Sequence, residues 1–339
     1  MNRRDWVKVA GMSAPMVLTS FKSADAPVII GHGEFRYRLD KQWSKADHKK
    51  FPIKNCHEMI QAADGRLFLL TDEGRNNILV YDTDGALVDS WTLKMGNAHG
   101  LTYHVNDGKE SLWITDTGGR IVQTDLQGRV LRTLARKGKD VPSSPTETAI
   151  GPDGSIYVID GYGSQYIYKY SAAGEYVKRF GGKSTQPVNQ STFMQAHGVA
   201  LDARGPEPLL VCTARIKNEF KWFDLDGNFV RSVYLPGAFM SRPVIQGKEL
   251  YSGVCFGFKK NDYRMWQGEG FVLVLDENDR VVSAPGADAP EYEGDALKPL
   301  MKNGDHFHNV HDVCVDKEGD LYACQWNSGR VPPYKLERV

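Results

Sequence analysis

The chain lacks several features that would assign a function at once. Its 339 residues include 42 Lys and Arg against 42 Asp and Glu, so the charge pattern indicates no nucleic-acid footprint. Beyond the N-terminus no run of residues is apolar enough to span a membrane. Neither a nucleophile elbow nor a Cys/His signature is present. These absences argue against nucleic-acid binding, a membrane span and the common covalent hydrolases.

Cysteine is also scarce, and the spacing of the cysteines does not indicate disulfide pairs. The five cysteines are an odd number and contain no CxxC pair, so they indicate no disulfide framework. Cys314 and Cys324 fall on neighbouring predicted strands, where the turn between them is expected to set Cys314 opposite Ala323. We therefore expect free, buried thiols.

The N-terminal segment has the pattern of an export signal. Arg3 and Arg4 are followed by Trp6, Lys8 and a weakly apolar stretch, and the small residues of 24–26 suit a cleavage site. This resembles a twin-arginine signal, and the alternative is an ordinary basic terminus. We expect residues 1–26 to be the signal and residues 27–339 to form a single exported domain, periplasmic or extracellular.

What the sequence does contain is typical of a β protein rich in turns. Glycine is abundant, with 34 residues, aromatic residues make up 11% and no stretch keeps a helical period. From residue 27 onward, strand, Gly-containing turn and strand recur in six inner and five outer hairpins. The period of about 42 to 50 residues, with four strands per unit, predicts a six-bladed β-propeller.

The one incomplete outer hairpin predicts how the ring closes. Only the strand at Tyr334–Val339 follows the sixth inner hairpin, while Glu34–Trp43 forms an unassigned strand before the first blade. Pairing the two strands would complete the last blade and remove an exposed sheet edge. The fold class is therefore all-β, with the last blade closed by the N-terminal strand.

A histidine recurs at the start of the inner strands. His99, His197 and His311 belong to the second, fourth and sixth repeats, about 120° apart around a propeller axis. Three imidazoles that converge on a polar channel can hold a divalent metal and leave a coordination position open. His57 and Glu147 occupy the equivalent positions of blades one and three. His57 is expected to support the metal site or contact substrate, and Arg242 approximately matches in blade five.

The segment from Gly154 to Gly181 resembles an NHL repeat, and the resemblance covers most of residues 50–335. Within that superfamily the chain resembles the catalytic propeller of peptidyl-α-hydroxyglycine α-amidating lyase. The similarity is carried by the His-Gly and His-Asp pairs at strand starts, the Asp160–Ser164 turn and Arg215 after a second strand.

This resemblance implies a catalytic zinc ion on His99, His197 and His311. It further implies that Tyr162 removes a proton from the substrate hydroxyl and that Arg215 binds the substrate carboxylate. Both residues follow a second strand, which places them on the histidine face of a propeller. A further arginine of the family falls near Arg75.

The resemblance also implies a structural calcium ion on the channel axis. The Asp312 carboxylate and the Leu101 carbonyl match two of its ligands, and both are the hard oxygen ligands that calcium prefers. An alternative role for Asp312 is that of a buried hydrogen-bonding residue.

Two departures from the lyase pattern leave the substrate open. Gly163 replaces a disulfide cysteine of the family, and residues 256–270 insert an aromatic segment in blade five whose Tyr263, Met265 and Trp266 could form a ligand wall. We expect a monomeric metal-dependent lyase that cleaves a C–N or C–O bond of a small-molecule, peptide or glycan-derived substrate. Zinc, iron and manganese remain open as the metal. The alternatives are a lactonase or sugar lyase on the same scaffold, and a non-catalytic NHL binding module.

Overall fold

The structure is a computed structural model that describes residues 26–134, 140–185 and 190–339. Within these residues six sheets of four or five strands each form one blade of a propeller. The innermost strand of each blade contacts the innermost strand of the next blade, and the last contacts the first. The predicted six-bladed β-propeller is therefore confirmed. The export signal predicted over residues 1–26 lies outside the described residues, apart from Ala26.

The strands follow the chain in regular order, and each blade runs from the channel outward. Two strands precede the first blade: β1 (Ile29–His32) and β2 (Phe35–Asp40). Blade one contains β3 (Cys56–Gln61), β4 (Leu67–Thr71), β5 (Ile78–Tyr81) and β6 (Leu87–Trp91). Blade two contains β7 (Ala98–Asn106), β8 (Lys109–Asp116), β9 (Arg120–Thr124) and β10 (Val130–Thr133). Blade three contains β11 (Glu147–Ile150), β12 (Ile156–Ile159), β13 (Tyr166–Tyr170) and β14 (Tyr176–Gly181).

The second half of the ring repeats this arrangement with two additions. Blade four contains β15 (Ala196–Asp202), β16 (Leu209–Ala214), β17 (Glu219–Phe223) and β18 (Phe229–Tyr234). Blade five contains β19 (Ala238–Gln246), β20 (Glu249–Lys259), the added β21 (Asp262–Trp266), β22 (Phe271–Leu275) and β23 (Val281–Ser283). A two-stranded ribbon follows, formed by β24 (Tyr292–Glu293) and β25 (Ala296–Leu297). Blade six contains β26 (Val310–Val315), β27 (Leu321–Gln325) and β28 (Tyr334–Arg338).

Blade six is closed by the two ends of the described chain. Strand β2 pairs antiparallel with β28, with Leu39 opposite Leu336, as the sequence predicts. Strand β1 then adds a fifth, outer strand to the same sheet, which the sequence did not indicate. Leu336 is fully buried between these partners. Pairing with β2 therefore covers the edge that β28 would otherwise expose.

The hydrophobic core lies between neighbouring blades. Trp222 of blade four packs in one cluster with Met240 and Leu273 of blade five, and all three are fully buried. The tight turns lie at the blade ends, where Gly65 adopts a φ of 88°, a conformation that other residues rarely accept. Successive side chains of a strand point to opposite faces of its sheet, so each blade packs one set of side chains against the preceding blade and the other set against the following blade.

The prediction of free, buried cysteines is confirmed, whereas the predicted strand pairing of Cys314 is wrong. All five cysteines are free and buried. Cys314 lies opposite Tyr322 rather than Ala323, because the turn closes with the Asp316 N–H donating to the Asp320 carbonyl, which sets Val315 opposite Leu321. Across the described ranges, no helix has the length and apolar character needed to cross a bilayer.

Candidate functional site

The histidines reach the channel because the inner strands are bulged where they begin. In β3 and β26 the pairing register shifts across the histidine, so that one additional residue stands opposite the second strand. The same irregularity surrounds the His-Gly pairs of β7 and β15. A bulge re-aims the side chain of the extra residue. Four imidazoles are turned to the axis in this way: His57, His99, His197 and His311.

The two glycines beside these histidines allow the inner strands to approach closely. A Cβ atom on Gly100 would lie 2.4 Å from the Thr146 carbonyl oxygen, and one on Gly198 would lie 2.6 Å from the Arg242 Cα. Only glycine fits such contacts without a backbone shift. The His-Gly pair therefore combines an axial side chain with tight packing against the next blade.

The four imidazoles form one compact cluster. Ring centroids are 4.8 Å apart for His99 and His197, 4.9 Å for His99 and His311, and 5.0 Å for His197 and His311. His57 joins them at 5.0 Å from His99 and 4.8 Å from His311. All four residues are at most 5% exposed. The structure thus brings together the three histidines predicted as ligands and adds the blade-one histidine to them.

Three of these residues offer ligand atoms that lie within 4.8 Å of one another: His57, His99 and His311. His197 lies outside that group of three, although its Nε2, like that of His99, contacts the Tyr162 hydroxyl, at 3.1 Å. A metal ion could therefore be held by His99 and His311 together with a third imidazole from blade one or blade four.

Hydrogen bonds orient two of the imidazoles for metal binding. His99 Nδ1 donates to the Thr146 carbonyl and His311 Nδ1 donates to the His57 carbonyl, each at 2.9 Å. An Nδ1–H donor of this kind leaves Nε2 with its lone pair free for a metal. His57 Nδ1 and His197 Nδ1 are buried without a hydrogen-bond partner among the described residues. Such buried unpaired atoms are uncommon, and they are suited to bind an ion.

Electrostatics favours the neutral form of His99, His197 and His311. Burial lowers the pKa of His99, His197 and His311 well below the ordinary value, and neighbouring cationic groups lower it further. Neutral imidazole is the form that binds a metal. The residues present therefore fit a divalent transition-metal ion.

Asp72 supports the cluster from behind His57. Its Oδ2 lies 3.6 Å from His57 Nε2, and both of its oxygens accept hydrogen bonds from Asn55. Burial opposes ionisation, but the His57 and Asn55 contacts still hold the pKa of Asp72 below its usual value. A carboxylate behind an imidazole is the common support of metal-binding histidines.

Tyr162 lies directly on the histidine cluster. Its hydroxyl is 3.2 Å from His99 Nε2 and 3.1 Å from His197 Nε2, although the residue is 45% exposed. Because His99 Nδ1 is a donor, the lone pair of His99 Nε2 accepts the tyrosine proton here, and an ion bound at Nε2 would replace that hydrogen bond. His197 Nε2–H donates to the phenol oxygen. Burial raises the pKa of Tyr162, and the Arg215 guanidinium opposes that rise.

The loop that carries Tyr162 is fixed by Asp160. The Asp160 carboxylate accepts the Ser144 backbone N–H at 2.6 Å and the Ser164 backbone N–H at 2.7 Å. The two flanking glycines are required by space, because a Cβ on Gly161 would lie 2.3 Å from Thr146 Oγ1 and one on Gly163 2.2 Å from Ser143 Oγ. The Asp160–Ser164 motif therefore sets the direction of the tyrosine.

Arg215 brings a buried cation to the same pocket. It begins a 3₁₀ turn after β16 and is 2% exposed. Its Nε donates to the Met240 carbonyl at 2.9 Å, and its Nη2 donates to Ser241 Oγ at 2.8 Å. Both of these partners are neutral, and the ion pairs found among the described residues include none with its guanidinium. A buried arginine without an anionic partner is suited to a carboxylate ligand.

These groups surround a cavity of about 280 Å³ at the histidine end of the channel. Its walls are formed by His57, Asp72, Asn97, His99, Thr117, Tyr162, Arg215, Cys255, Phe256, His311 and Trp326. A larger cavity of about 390 Å³ opens at the other end of the channel. That cavity is lined mainly by apolar side chains, so the chemistry lies at the histidine end.

The sequence analysis did not predict several residues of the cavity wall, although their position in the repeat could have identified them. Asp72, Thr117 and Trp326 each follow the second strand of their blade, the position that also precedes Tyr162 and holds Arg215. Phe256 lies in β20, beyond the last residue paired with β22. Applying the repeat position of Arg215 to every blade would have identified Asp72 and Trp326.

Other predicted residues lie elsewhere. The Arg75 side chain is 72% exposed and pairs with Glu73 at 2.9 Å, outside the pocket wall. Among the aromatic residues of the insertion, Tyr263 is 63% exposed, and Trp266 lies under the cations of Lys259 and Arg264. The structure therefore gives the aromatic wall to Phe256 and Trp326, whose rings meet edge to face at 6.1 Å.

Glu147 lies one layer further along the axis than the histidines. Its Oε1 accepts a hydrogen bond from Thr102 Oγ1 at 3.0 Å, and it neighbours Glu58, the residue after His57. Burial and the Glu147 charge raise the pKa of Glu58. The sequence placed Glu147 and Arg242 level with the histidines, whereas in the structure the preceding residues contact the pocket groups: the Thr146 carbonyl binds His99 and the Ser241 hydroxyl binds Arg215.

The positions assigned to calcium already have a different partner. The Asp312 carboxylate accepts hydrogen bonds from Arg242 Nε at 3.0 Å and Nη2 at 2.8 Å. The Leu101 carbonyl accepts one from Arg242 Nη1 at 2.7 Å. Because a guanidinium occupies both oxygens, these residues do not fit a calcium site.

The fold and the site together define a six-bladed propeller with a histidine-rich pocket on its axis. No protein-family model matches the chain. In sequence it is similar to peptidyl-α-hydroxyglycine α-amidating lyase 1 of Drosophila melanogaster, with 24% identity over 270 residues that cover 69% of this chain and 43% of that protein.

Other similarities agree with this one. A probable lyase of the same type from Caenorhabditis elegans is 29% identical over 128 residues, 36% of this chain and 35% of that protein. Rat peptidylglycine α-amidating monooxygenase is 23% identical over 263 residues, 70% of this chain and 23% of that protein. The chain thus spans less than half the length of these relatives.

Solved structures support the fold. A gluconolactonase from Xanthomonas campestris has a TM-score of 0.60 at 14% identity, over 93% of this chain and 96% of that one. A streptogramin B lyase has a TM-score of 0.53 at 11% identity, over 84% of this chain and 94% of that one. At these identities the likeness establishes the six-bladed architecture alone.

Proposed function

We propose that this protein is a metal-dependent lyase that cleaves a C–N bond next to a hydroxyl-bearing carbon, acting on an α-hydroxyglycine-type amide. One observation carries the proposal. The Tyr162 hydroxyl lies against two imidazoles of a buried four-histidine cluster, in a pocket that also holds the Arg215 cation. The sequence similarity to amidating lyases supports the same reaction type.

His99 and His311 are the proposed ligands, with His57 and His197 both near enough to complete the site. Zinc is the metal that the resemblance indicates, and the imidazole set also suits other divalent transition metals. The ion supplies Lewis-acid chemistry, lowering the pKa of a hydroxyl group beside it.

Tyr162 acts as the general base in this proposal. Its phenolate takes the proton of the substrate hydroxyl, the oxygen lone pair forms the carbonyl, and the C–N bond breaks with its electrons moving to nitrogen. The nitrogen then takes up one proton, so the products are an amide and an aldehyde acid. Since burial raises the pKa of Tyr162, its ionisation depends on the nearby cations.

Arg215 orients the substrate. Its guanidinium binds the substrate carboxylate in bidentate fashion, which sets the hydroxyl-bearing carbon near Tyr162. Phe256 and Trp326 form the apolar wall against which the rest of the substrate packs. The small cavity favours the terminal group of a chain, since about 280 Å³ excludes a folded ligand.

The experiment is turnover of an N-acyl-α-hydroxyglycine by the metal-loaded protein, measured as release of glyoxylate, with a simple lactone assayed in parallel. We expect glyoxylate release, and a fall in kcat of about 10²- to 10⁴-fold in Tyr162→Phe with unchanged metal content. Turnover of the lactone alone, or full activity of Tyr162→Phe, would contradict the proposal.

We also propose that residues 1–26 export the protein through the twin-arginine route. The support is the Arg3-Arg4 pair, the following apolar stretch and the small residues at 24–26. Fusing residues 1–26 to a reporter tests this. Export should occur and should stop when both arginines become lysine, and export unaffected by that change would overturn the assignment.

A further inference from the structure

A second layer of charged residues crosses the channel just beyond the histidines. Glu58 and Asp312 follow His57 and His311 directly, and the bulges allow consecutive residues to face the axis. Glu147 and Arg242 complete this layer, and none of the four is more than 8% exposed. We call these four residues the axial charge layer.

Arg242 joins four blades through this layer. From blade five it donates to the Asp312 carboxylate of blade six and, at 2.7 Å, to the Leu101 carbonyl of blade two. It also donates to the Met59 carbonyl of blade one at 3.1 Å and lies 3.4 Å from Glu58 Oε2. The three guanidinium nitrogen atoms therefore all have oxygen partners from other blades.

The partners are themselves fixed in place. Asp312 Oδ2 accepts the Met59 backbone N–H at 2.9 Å, and Glu58 Oε2 accepts the Leu101 backbone N–H at 2.5 Å. Burial disfavours a charge here, yet Asp312 and Glu58 still raise the pKa of Arg242 above its ordinary value. The guanidinium is thus a permanent cation in a site built for one.

A metal ion on the same oxygens is excluded by distance and charge. Calcium requires six to eight oxygen ligands at about 2.3 to 2.6 Å. Placed on the Asp312 carboxylate and the Leu101 carbonyl, it would lie against the guanidinium that contacts both, where two positive charges repel strongly in a buried site.

We infer that Arg242 is the axial cation of this propeller and performs, without any metal, the blade-tying role that the resemblance gives to calcium. The inference does not depend on the proposed enzymatic reaction. It concerns ring stability and calcium content, which are measured without substrate.

The first test uses the wild-type protein. Elemental analysis should find no calcium in the purified protein, and millimolar CaCl₂ should leave the thermal unfolding midpoint unchanged. One calcium ion per chain, together with a rise of several degrees on calcium addition, would overturn the inference.

The second test creates the calcium site that the arginine precludes. Arg242→Ala leaves three carboxylates and two carbonyls around a hole, so we expect a lower unfolding midpoint that rises by several degrees with millimolar CaCl₂ and not with MgCl₂. The control Arg242→Ala/Asp312→Asn lacks the central carboxylate and should lose this calcium effect. Arg242→Lys keeps the cation and should remain indifferent to calcium.

Each outcome of the second test either supports or contradicts the inference about Arg242. Calcium stabilisation of Arg242→Ala that disappears in the double variant supports the inference, and so does calcium indifference of Arg242→Lys. Calcium stabilisation of Arg242→Lys equal to that of Arg242→Ala would contradict it, because the added ion would then bind irrespective of the arginine charge. If Arg242→Ala does not fold, the lysine variant and the wild-type calcium content still decide.

Discussion

At the scale of single residues, the site depends on side chains whose direction is fixed by their neighbours. Tyr162 is directed by the Asp160 carboxylate and two crowded glycines, and His99 and His311 are directed by backbone carbonyls. Such support keeps reacting groups within the small tolerance that catalysis needs. The pocket is therefore pre-organised before any ligand binds.

Arg215 gives a prediction that separates binding from chemistry. Replacing it with alanine removes the pocket cation while Tyr162 and the histidines remain, so KM for a carboxylate substrate should rise by about 30-fold or more. Metal content should not change. The measurement is steady-state kinetics with elemental analysis of the same sample.

The matched control is Arg75→Ala, an arginine that the resemblance also suggested. Its side chain is exposed and pairs with Glu73 within the same loop, so its removal should leave KM and kcat within about twofold. A large loss in Arg75→Ala with little effect of Arg215→Ala would reverse the assignment.

At the scale of strands, the repeat determines most of the architecture. The alternation of strands and Gly-containing turns was sufficient to predict six blades and the pairing of β2 with β28, because both follow from period and from edge closure. The two additional strands, β1 and β21, could not be predicted from the repeat. Strand β1 adds an outer strand without a pattern of its own, and β21 forms by pairing onto an extended β20.

The bulges explain what the sequence could not show about the site. Simple alternation sends consecutive residues to opposite faces, which would allow only one of His311 and Asp312 to face the channel. The register shift in β26 changes this, and the same holds for His57 and Glu58 in β3. The repeat was therefore sufficient to predict that the histidines converge, but it could not predict that Arg242 binds Asp312.

Closure by β28 can be tested directly. Leu336 is fully buried between β2 and β27, so Leu336→Ala should lower the free energy of unfolding by about 2 to 5 kcal/mol through the cavity it leaves. Val339, 56% exposed at the end of the same segment, provides the control, and Val339→Ala should cost little. Denaturant unfolding measures both. Equal losses for the two variants would contradict the closure.

At the scale of the whole molecule, the buried imidazoles couple stability to pH. Burial holds the pKa of His197 below its ordinary value of 6.5, and the same applies to His99 and His311. The unfolded chain therefore takes up protons that the folded chain resists as the pH falls below about 6.5. The stabilisation is complete above this value and is lost progressively toward the lower folded-state pKa values.

For the metal-free protein, the free energy of unfolding should thus fall between pH 7 and pH 5, and His197→Gln should show a smaller fall. Comparing the two proteins separates the contribution of the His197 imidazole from those of Glu58 and Asp312. Burial raises the pKa values of these two carboxyl groups, so their contribution to the free energy of unfolding changes with pH in the opposite direction. Denaturant unfolding at each pH gives the slopes. Identical slopes for both proteins would contradict this linkage.

The four-histidine cluster holding a single metal ion is the claim on which the function depends. Elemental analysis of the purified protein should find about one divalent transition-metal ion per chain, lost in His99→Ala and in His311→Ala. His104→Ala, on the same strand as His99 but outside the cluster, should retain the ion. A wild-type protein without a bound transition metal after metal loading, or full occupancy in His99→Ala and His311→Ala, would contradict the account.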